Sequence, residues 1–226
     1  MSDAALVTTI IPVYNRAFCV MDAVASVLDQ TYANVECIVV DDGSSDDTFT
    51  VVSAAAEHEL RLRVLTQDHR GVAAARNVAL RAARGEYVTF LDSDDVMPRN
   101  RVRRQLDLLS ERECGAVIGR NEVHSVNGAA VPDWMRLVTY YTTSLFTSTQ
   151  FVRDVGGFDE SMRVGEDLDL LVKLRGSGVT LFASDETFTI QRYFGDNLSY
   201  EIDDGHSHMR ESIRRHLARR RAAAGE

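Results

Sequence analysis

The chain has 226 residues, 45% hydrophobic and 26% charged, ordinary globular values in a length that can bury a substantial core. Its formal net charge of -9 argues against a general nucleic-acid binder. Cys19, Cys37 and Cys114 are far apart with no CxxC spacing, which points to a reduced, cytoplasmic setting rather than a disulfide framework. The N-terminus lacks a basic segment followed by a long apolar one, so neither a signal peptide nor a membrane span is expected.

Short apolar runs alternate with amphipathic stretches through the first half, the pattern of a parallel sheet covered by helices. A strand is expected over 6–12 and a helix over about 17–29. The next strand, 35–41, is too uniformly apolar to have one face in water and belongs at the centre of the sheet. Turn and capping residues from Asp42 to Thr48 lead into a helix ending near residue 59. A third strand follows over 61–66, then an Ala-rich helix opened by Gly71 and stopped by Gly85, and a fourth strand over 87–91. Pro98 starts a helix to about 112, with Val102, Leu106 and Leu109 at helical spacing. The second half is less regular. Strands are expected over 116–123 and 140–146, helices over 149–155 and 166–174, and final strands over 180–183 and 188–193. The tail, 209–221, carries six arginines and reads as a basic helix. No internal repeat and no convincing linker divides the chain.

The fourth strand ends in three carboxylates within four positions, Asp92, Asp94 and Asp95. Like charges at that spacing repel and are costly to desolvate. A divalent cation resolves the conflict and commonly bridges carboxylates to a substrate phosphate, whereas the bland alternative is a helix-capping cluster ahead of Pro98. In an open α/β sheet, ligands bind beyond the carboxyl ends of the strands, where strand order reverses. Two further polar groups fall at such ends: Pro12-Val-Tyr-Asn-Arg16, and Asp41-Asp-Gly-Ser-Ser45. Tyr14 offers a flat ring for stacking a base and Asp42 offers acceptors for a ribose hydroxyl or a base imide, although turn chemistry explains both stretches as well. Arg76, flanked by small residues, would reach a carboxylate or phosphate at the same edge, or make a structural salt bridge. Neither GxGxxG after the first strand nor a GxxxxGKS/T loop is present, which removes the dinucleotide and P-loop readings. Glu166 and Asp167 open a helix; they are solvated helix-start residues or, opposite a nucleotide and metal, a source of the general base.

These motifs, with Gly156-Gly-Phe-Asp-Glu160 and Gly165-Glu-Asp167, resemble the family 2 glycosyltransferases of the GT-A fold over roughly residues 6–200, in order and spacing. The resemblance implies a Rossmann-like, mostly parallel sheet flanked by helices, with a small antiparallel acceptor-side subregion. It implies one catalytic domain over 1–226: a nucleotide-binding half to about 112, an acceptor-binding half over 113–200, and the basic helix over 201–226. Carried over residue by residue, it assigns Pro12, Tyr14, Arg16 and Asp42 to the nucleotide, and Asp92, Asp94 and Asp95 to diphosphate and metal, Mn2+ or Mg2+. Arg76 joins the donor-binding set, and Asp167 with Glu166 supplies the base. The implied reaction is inverting transfer from a nucleotide sugar, UDP-linked by family frequency, to an acceptor the sequence does not identify.

One departure concerns Phe194, at about the position where the family often carries a histidine. His206 and His208 lie a little further on and are the candidate substitutes as metal ligands. Trp134, Tyr140 and Tyr141 fall in the region that would form an acceptor pocket, although core packing suits the tryptophan equally. The Arg-rich tail would suit a membrane surface or an acidic partner. Two other classes stay open: a sugar-nucleotide nucleotidyltransferase, and a binding module without catalysis.

Overall fold

The computed structural model describes residues 5–131, 135, 141–162, 164–194 and 214. Its elements run β1 (Val7–Val13), α1 (Val20–Leu28), β2 (Val35–Asp41), α2 (Thr48–Ala56), β3 (Leu62–Thr66), α3 (Val72–Ala82), β4 (Tyr87–Phe90), α4 (Arg101–Glu111) and β5 (Ala116–Ser125). There follow a 3-10 turn (Thr142–Ser144), β6 (Phe146–Ser148), α5 (Thr149–Asp154), α6 (Glu166–Gly176) and β7 (Leu181–Tyr193). The strands form one sheet in the order β3-β2-β1-β4-β6-β5-β7. β1 pairs in parallel with both β2 and β4, whereas β6 runs antiparallel between β4 and β5. The chain therefore steps outward from β1 to β3 and then crosses to β4 on the other side. That reversal opens a crevice beyond the carboxyl ends of β1, β2 and β4.

Alternation along the strands feeds two cores. Val7, Ile11 and Val13 of β1 face α1, α2 and α4, while Ile10, Ile38 and Val40 face α3, α5 and α6. All seven residues of β2 are buried, the apolar ones as a central strand requires and Glu36 because Thr8 (2.6 Å) and Arg63 (3.1 Å) donate to it. Pro12 is buried in β1 although it cannot donate to a ladder. It is tolerated because the pairing with β4 stops at Ile10 and Phe90, leaving β1 with one partner strand from there on. Among the described residues no helix is long and apolar enough to cross a membrane.

Several expected boundaries change. Helix α1 starts at Val20, not near 17, because residues 14–19 form a turn: Arg16 N–H donates to Thr48 Oγ1 (2.8 Å) and Ala17 N–H to Asp46 (3.2 Å). Helix α4 begins at Arg101, three residues after Pro98, with Arg101 N–H on the Pro98 carbonyl. The strand expected over 140–146, whose Tyr140 lies outside the described residues, is from Thr142 onwards a 3-10 turn followed by β6. Its hydroxyls hold the turn: Ser144 Oγ donates to Gly119 O (2.7 Å), and Asn121 Nδ2 donates to Thr143 Oγ1 (2.9 Å). The two last strands are one, β7, whose register against β5 shifts around Arg120.

One buried cation ties these pieces together. Arg101, fully enclosed, donates to Phe188 O (3.0 Å), Thr189 Oγ1 (3.1 Å), Phe90 O (3.3 Å) and the Thr89 hydroxyl. Burial against neutral acceptors pushes its pKa down to about 9. Gln105, which accepts from Arg101, donates to Ser144 O (2.8 Å). The ends of β4, β7 and the 3-10 turn are thereby fixed relative to one another.

Candidate active site beyond the strand ends

Two loops meet where β1 and β2 leave the sheet. Asn15 takes a left-handed φ of 51°, which asparagine tolerates, and its Oδ1 accepts from Ser45 N–H (2.8 Å) while its own N–H donates to Ser44 Oγ (2.9 Å). That turn presents Tyr14, 38% exposed. Beside it Asp42 is buried and heavily engaged. Its Oδ1 accepts from Arg70 N–H (2.8 Å) and Gln67 Nε2 (2.6 Å), and its Oδ2 from Gly71 N–H (2.8 Å). His69 Nδ1 lies 3.0 Å from the same Oδ2, and its ring stacks on Tyr14 with centroids 4.1 Å apart. Gly71, at φ 91° and ψ 167°, occupies backbone space essentially reserved for glycine, which is what lets its N–H point at Asp42.

A second cluster centres on Arg76, on the buried face of α3. Its NH2 group lies 2.9 Å from Asp92 Oδ1; its NH1 group lies 2.7 Å from Asp167 Oδ1 and 3.0 Å from Glu166 Oε1. Small neighbours Ala73, Ala74 and Ala75 let α3 approach closely, and the guanidinium packs over Phe158 at 5.2 Å. Burial alone would lower its pKa, yet the charges of Asp167, Asp92 and Glu166 raise it above the usual value. Gly165, left-handed at φ 85°, begins α6, so Glu166 and Asp167 sit in its first turn where the dipole favours carboxylates. Thr142 from the 3-10 turn also donates to Asp167 Oδ1. Among the described residues no group donates to Asp167 Oδ2, and the side chain is 26% exposed.

The carboxylates crowd one another. Burial raises Asp94 to about 6, with the charge of Asp92 adding and Arg16 opposing. Glu166 is pushed up to about 7, first by burial and then by Asp167, against the pull of Arg76. Asp92 rises through burial, opposed by Arg76. Asp95 rises through burial and the charges of Asp94 and Asp92. Tyr141 shares the neighbourhood: burial and the charges of Asp167, Asp95 and Asp92 hold its phenol up at about 12. The pocket has a deficit of positive charge.

Most residues singled out in the sequence converge here, with roles the geometry refines. Arg76 is 2% exposed and grips carboxylates. Arg16 Nε lies 3.9 Å from Asp94 Oδ2. Asp95 is enclosed; its Oδ1 accepts from Arg192 N–H (3.0 Å), turning it towards β7. Phe194 packs edge-on against the exposed Phe18, with Arg192 over its ring at 5.3 Å. His206, His208, Trp134, Tyr140 and, apart from Arg214, the basic tail lie outside the described residues.

Among the described residues no group of three or more His, Cys, Asp or Glu is arranged to hold a metal ion. A hard cation held by two carboxylates and a substrate diphosphate needs no third side chain, and the raised pKa values of Asp92 and Asp94 fit such a partner. Thr142, His69, Gln67 and Arg192 were missed as site residues. For Thr142 the only signal was a polar run after two tyrosines, and for His69 its place two residues before Gly71.

Comparison with known proteins adds the following. The sequence model described as Glycosyl transferase family 2 matches residues 8–159. The chain is 37% identical over 115 residues to glycosyltransferase GlyG of Streptococcus pneumoniae, covering 50% of this chain and 38% of that protein. It is 38% identical over 127 residues to the Escherichia coli UDP-Glc:alpha-D-GlcNAc-diphosphoundecaprenol beta-1,3-glucosyltransferase WfgD, covering 55% and 49%. Matched stretches span from 30% to 58% of the length of such curated relatives. The fold is shared with S. aureus TarS residues 1–349 solved with UDP-GlcNAc, at a TM-score of 0.75 and 22% identity, over 94% of this chain and 66% of that one.

Proposed function

The chain belongs to glycosyl transferase family 2, and from that premise we propose that it transfers a sugar from a UDP-linked donor to an acceptor nucleophile, inverting the anomeric centre, with Asp167 as general base. One observation carries the assignment of the base. Asp167 Oδ1 accepts from both Arg76 and Thr142, so the carboxylate is held by one oxygen, and among the described residues Oδ2 has no donor in a side chain that is 26% exposed. An acceptor hydroxyl there gives its proton to Oδ2 while its oxygen forms a bond to the anomeric carbon. The bond from that carbon to the diphosphate breaks on the opposite face, through an oxocarbenium-like state, and UDP leaves.

Arg76 links the two sides of this chemistry, because the guanidinium that orients Asp167 also holds Asp92 at 2.9 Å. On the donor side Tyr14 and Asp42 take the base. Asp92 and Asp94 would hold a divalent cation, which supplies positive charge to the departing diphosphate. Arg16 brings a further cation to that edge. The donor reading is supported by the relative WfgD, whose name specifies UDP-Glc, and by a neighbour of shared fold, TarS, solved with UDP-GlcNAc. The three free cysteines accord with a reducing, cytoplasmic setting.

Transfer from a panel of UDP-sugars, measured as UDP release with and without Mn2+, tests the reading. Asp167→Asn should lower kcat by about 10²- to 10⁴-fold with UDP affinity kept, and Asp94→Ala should lose the metal response. Full turnover by Asp167→Asn would remove the base assignment.

A further inference from the structure

We propose that His69 stands in for the nucleobase in the free protein and must swing out before the nucleotide can enter, which makes it a residue that sets nucleotide affinity. This rests on the reading of Tyr14 and Asp42 as the base site. The imidazole makes both contacts a pyrimidine would make there. Its face lies on Tyr14, centroids 4.1 Å apart and planes 29° from parallel, a stacked contact slightly closer than the roughly 4.5 Å lower end usual for aromatic pairs. Its edge meets Asp42, with Nδ1 3.0 Å from Oδ2 and 3.1 Å from the backbone carbonyl oxygen. With the proton on Nδ1, the ring donates to that carbonyl and lies against the carboxylate, at the edge where the imide N–H of uracil would sit.

Asp42 has no acceptor position to spare. An ionised carboxylate offers about four lone-pair sites. Here two backbone N–H groups, Arg70 and Gly71, and the Gln67 amide take three of them, and His69 faces the fourth. The backbone donors are fixed by the loop that starts α3, and Gln67 is partly buried. His69 is the donor free to leave, since 57% of its side chain is already exposed and rotation about its own side-chain bonds takes it into solvent. Gly43 makes the arrangement possible: at φ 75°, a Cβ there would come within 2.9 Å of His69 N. An incoming base therefore exchanges with an imidazole that already satisfies Tyr14 and Asp42, and binds more weakly for it.

Calorimetric titration of the full chain with UDP distinguishes the possibilities, using wild type, His69→Ala and His69→Trp, each checked for folding by circular dichroism. Losing an aromatic stack from the free state should let His69→Ala bind UDP roughly two- to tenfold tighter. Tryptophan, with the larger ring, should stack more firmly on Tyr14 and weaken UDP binding several-fold. Inorganic pyrophosphate, which has no base, should bind all three alike. If His69 is instead a second wall of the base slot, the signs reverse: alanine weakens and tryptophan tightens. That reversal overturns the proposal, as does equal UDP affinity in all three proteins. Asp42→Ala and Tyr14→Ala separate this from the underlying reading. Loss of UDP affinity in those two variants, with reversed signs or equal UDP affinity at position 69, sinks only the stand-in. UDP affinity unmoved by either variant sinks the base site and the stand-in together.

Discussion

Replacing Arg76 with methionine keeps an unbranched apolar stem and removes the charge that three carboxylates share. Removing one partner of a buried ion pair costs about 3–5 kcal/mol, because the charge left behind stays desolvated. Asp92 and Asp167 would recover some hydration, with 38% and 26% of their side chains exposed, but Glu166 has only 9%. The destabilisation should therefore fall inside that range, a drop in Tm of about 6–20 °C for a chain of this size. Its pH dependence is also set. In the wild type Glu166 is already raised to about 7, and without Arg76 it and Asp92 rise further. A carboxylate whose folded pKa is raised contributes stability that is complete below its unfolded pKa and lost as pH climbs through the folded one. The deficit of Arg76→Met relative to wild type should thus be smallest near pH 5 and largest near pH 8. Thermal denaturation at those two pH values measures it. Arg76→Lys should recover part of the stability but little of kcat, since a compact ammonium cannot hold Asp92 and Asp167 at once in the fork geometry. A Tm within about 2 °C of wild type at pH 8, or a deficit that shrinks as pH rises, would refute the reasoning.

Three more expectations follow from the same geometry. Thr142→Val removes one of two donors to Asp167 Oδ1; it should lower kcat about tenfold while leaving the Kd for UDP unchanged, whereas a change confined to UDP binding would remove Thr142 from the base's support. Asp94→Asn removes a carboxylate raised to about 6 by burial and by Asp92. It should stabilise the protein by up to about 3 kcal/mol at pH 8 and by about 1 kcal/mol or less at pH 4.5, where the group is protonated in the fold but largely ionised in the unfolded chain. The same variant should lose the Tm increase that Mn2+ gives wild type in the presence of UDP, and an undiminished increase would exclude Asp94 as a ligand. Gly71→Ala meets no atom within 4 Å but forces φ 91° on a residue with a Cβ. It should cost about 1–3 kcal/mol and weaken UDP binding through the shifted N–H on Asp42; a neutral result in both melting and titration would contradict the role given to that backbone.

The carboxylate-ended strand 85–95 illustrates how far local reading reaches. Its apolar run predicts β4, and the break at Asp92 predicts the exit from the sheet, because burial on both faces leaves no place for charge within the strand. The two possible roles of the cluster could not be divided from the sequence. In the fold Asp95 turns to the Arg192 backbone while Asp94 stays within 3.9 Å of Arg16, a division made by β7 from almost a hundred residues away. The described part of the misread stretch 140–146, from Tyr141 on, fails for a similar reason. Two tyrosines and two threonines favour extended structure locally, but the hydroxyls of Thr142 and Ser144 bond to Asp167 and Gly119, and those distant partners curl the segment into a turn.

By itself, the sequence determined the strand–helix alternation, the placement of three polar motifs at strand ends and the family they resemble, since each depends on periodicity and short-range turn chemistry. Only the tertiary structure decided which of those polar groups meet. Arg76 and Asp167 are 91 positions apart, yet one guanidinium spans Asp92, Glu166 and Asp167. Nothing in the spacing of residues along the chain encodes that. It follows from the packing of α3 and α6 against the same face of the sheet, which forces the charges into a common buried volume where they must pair.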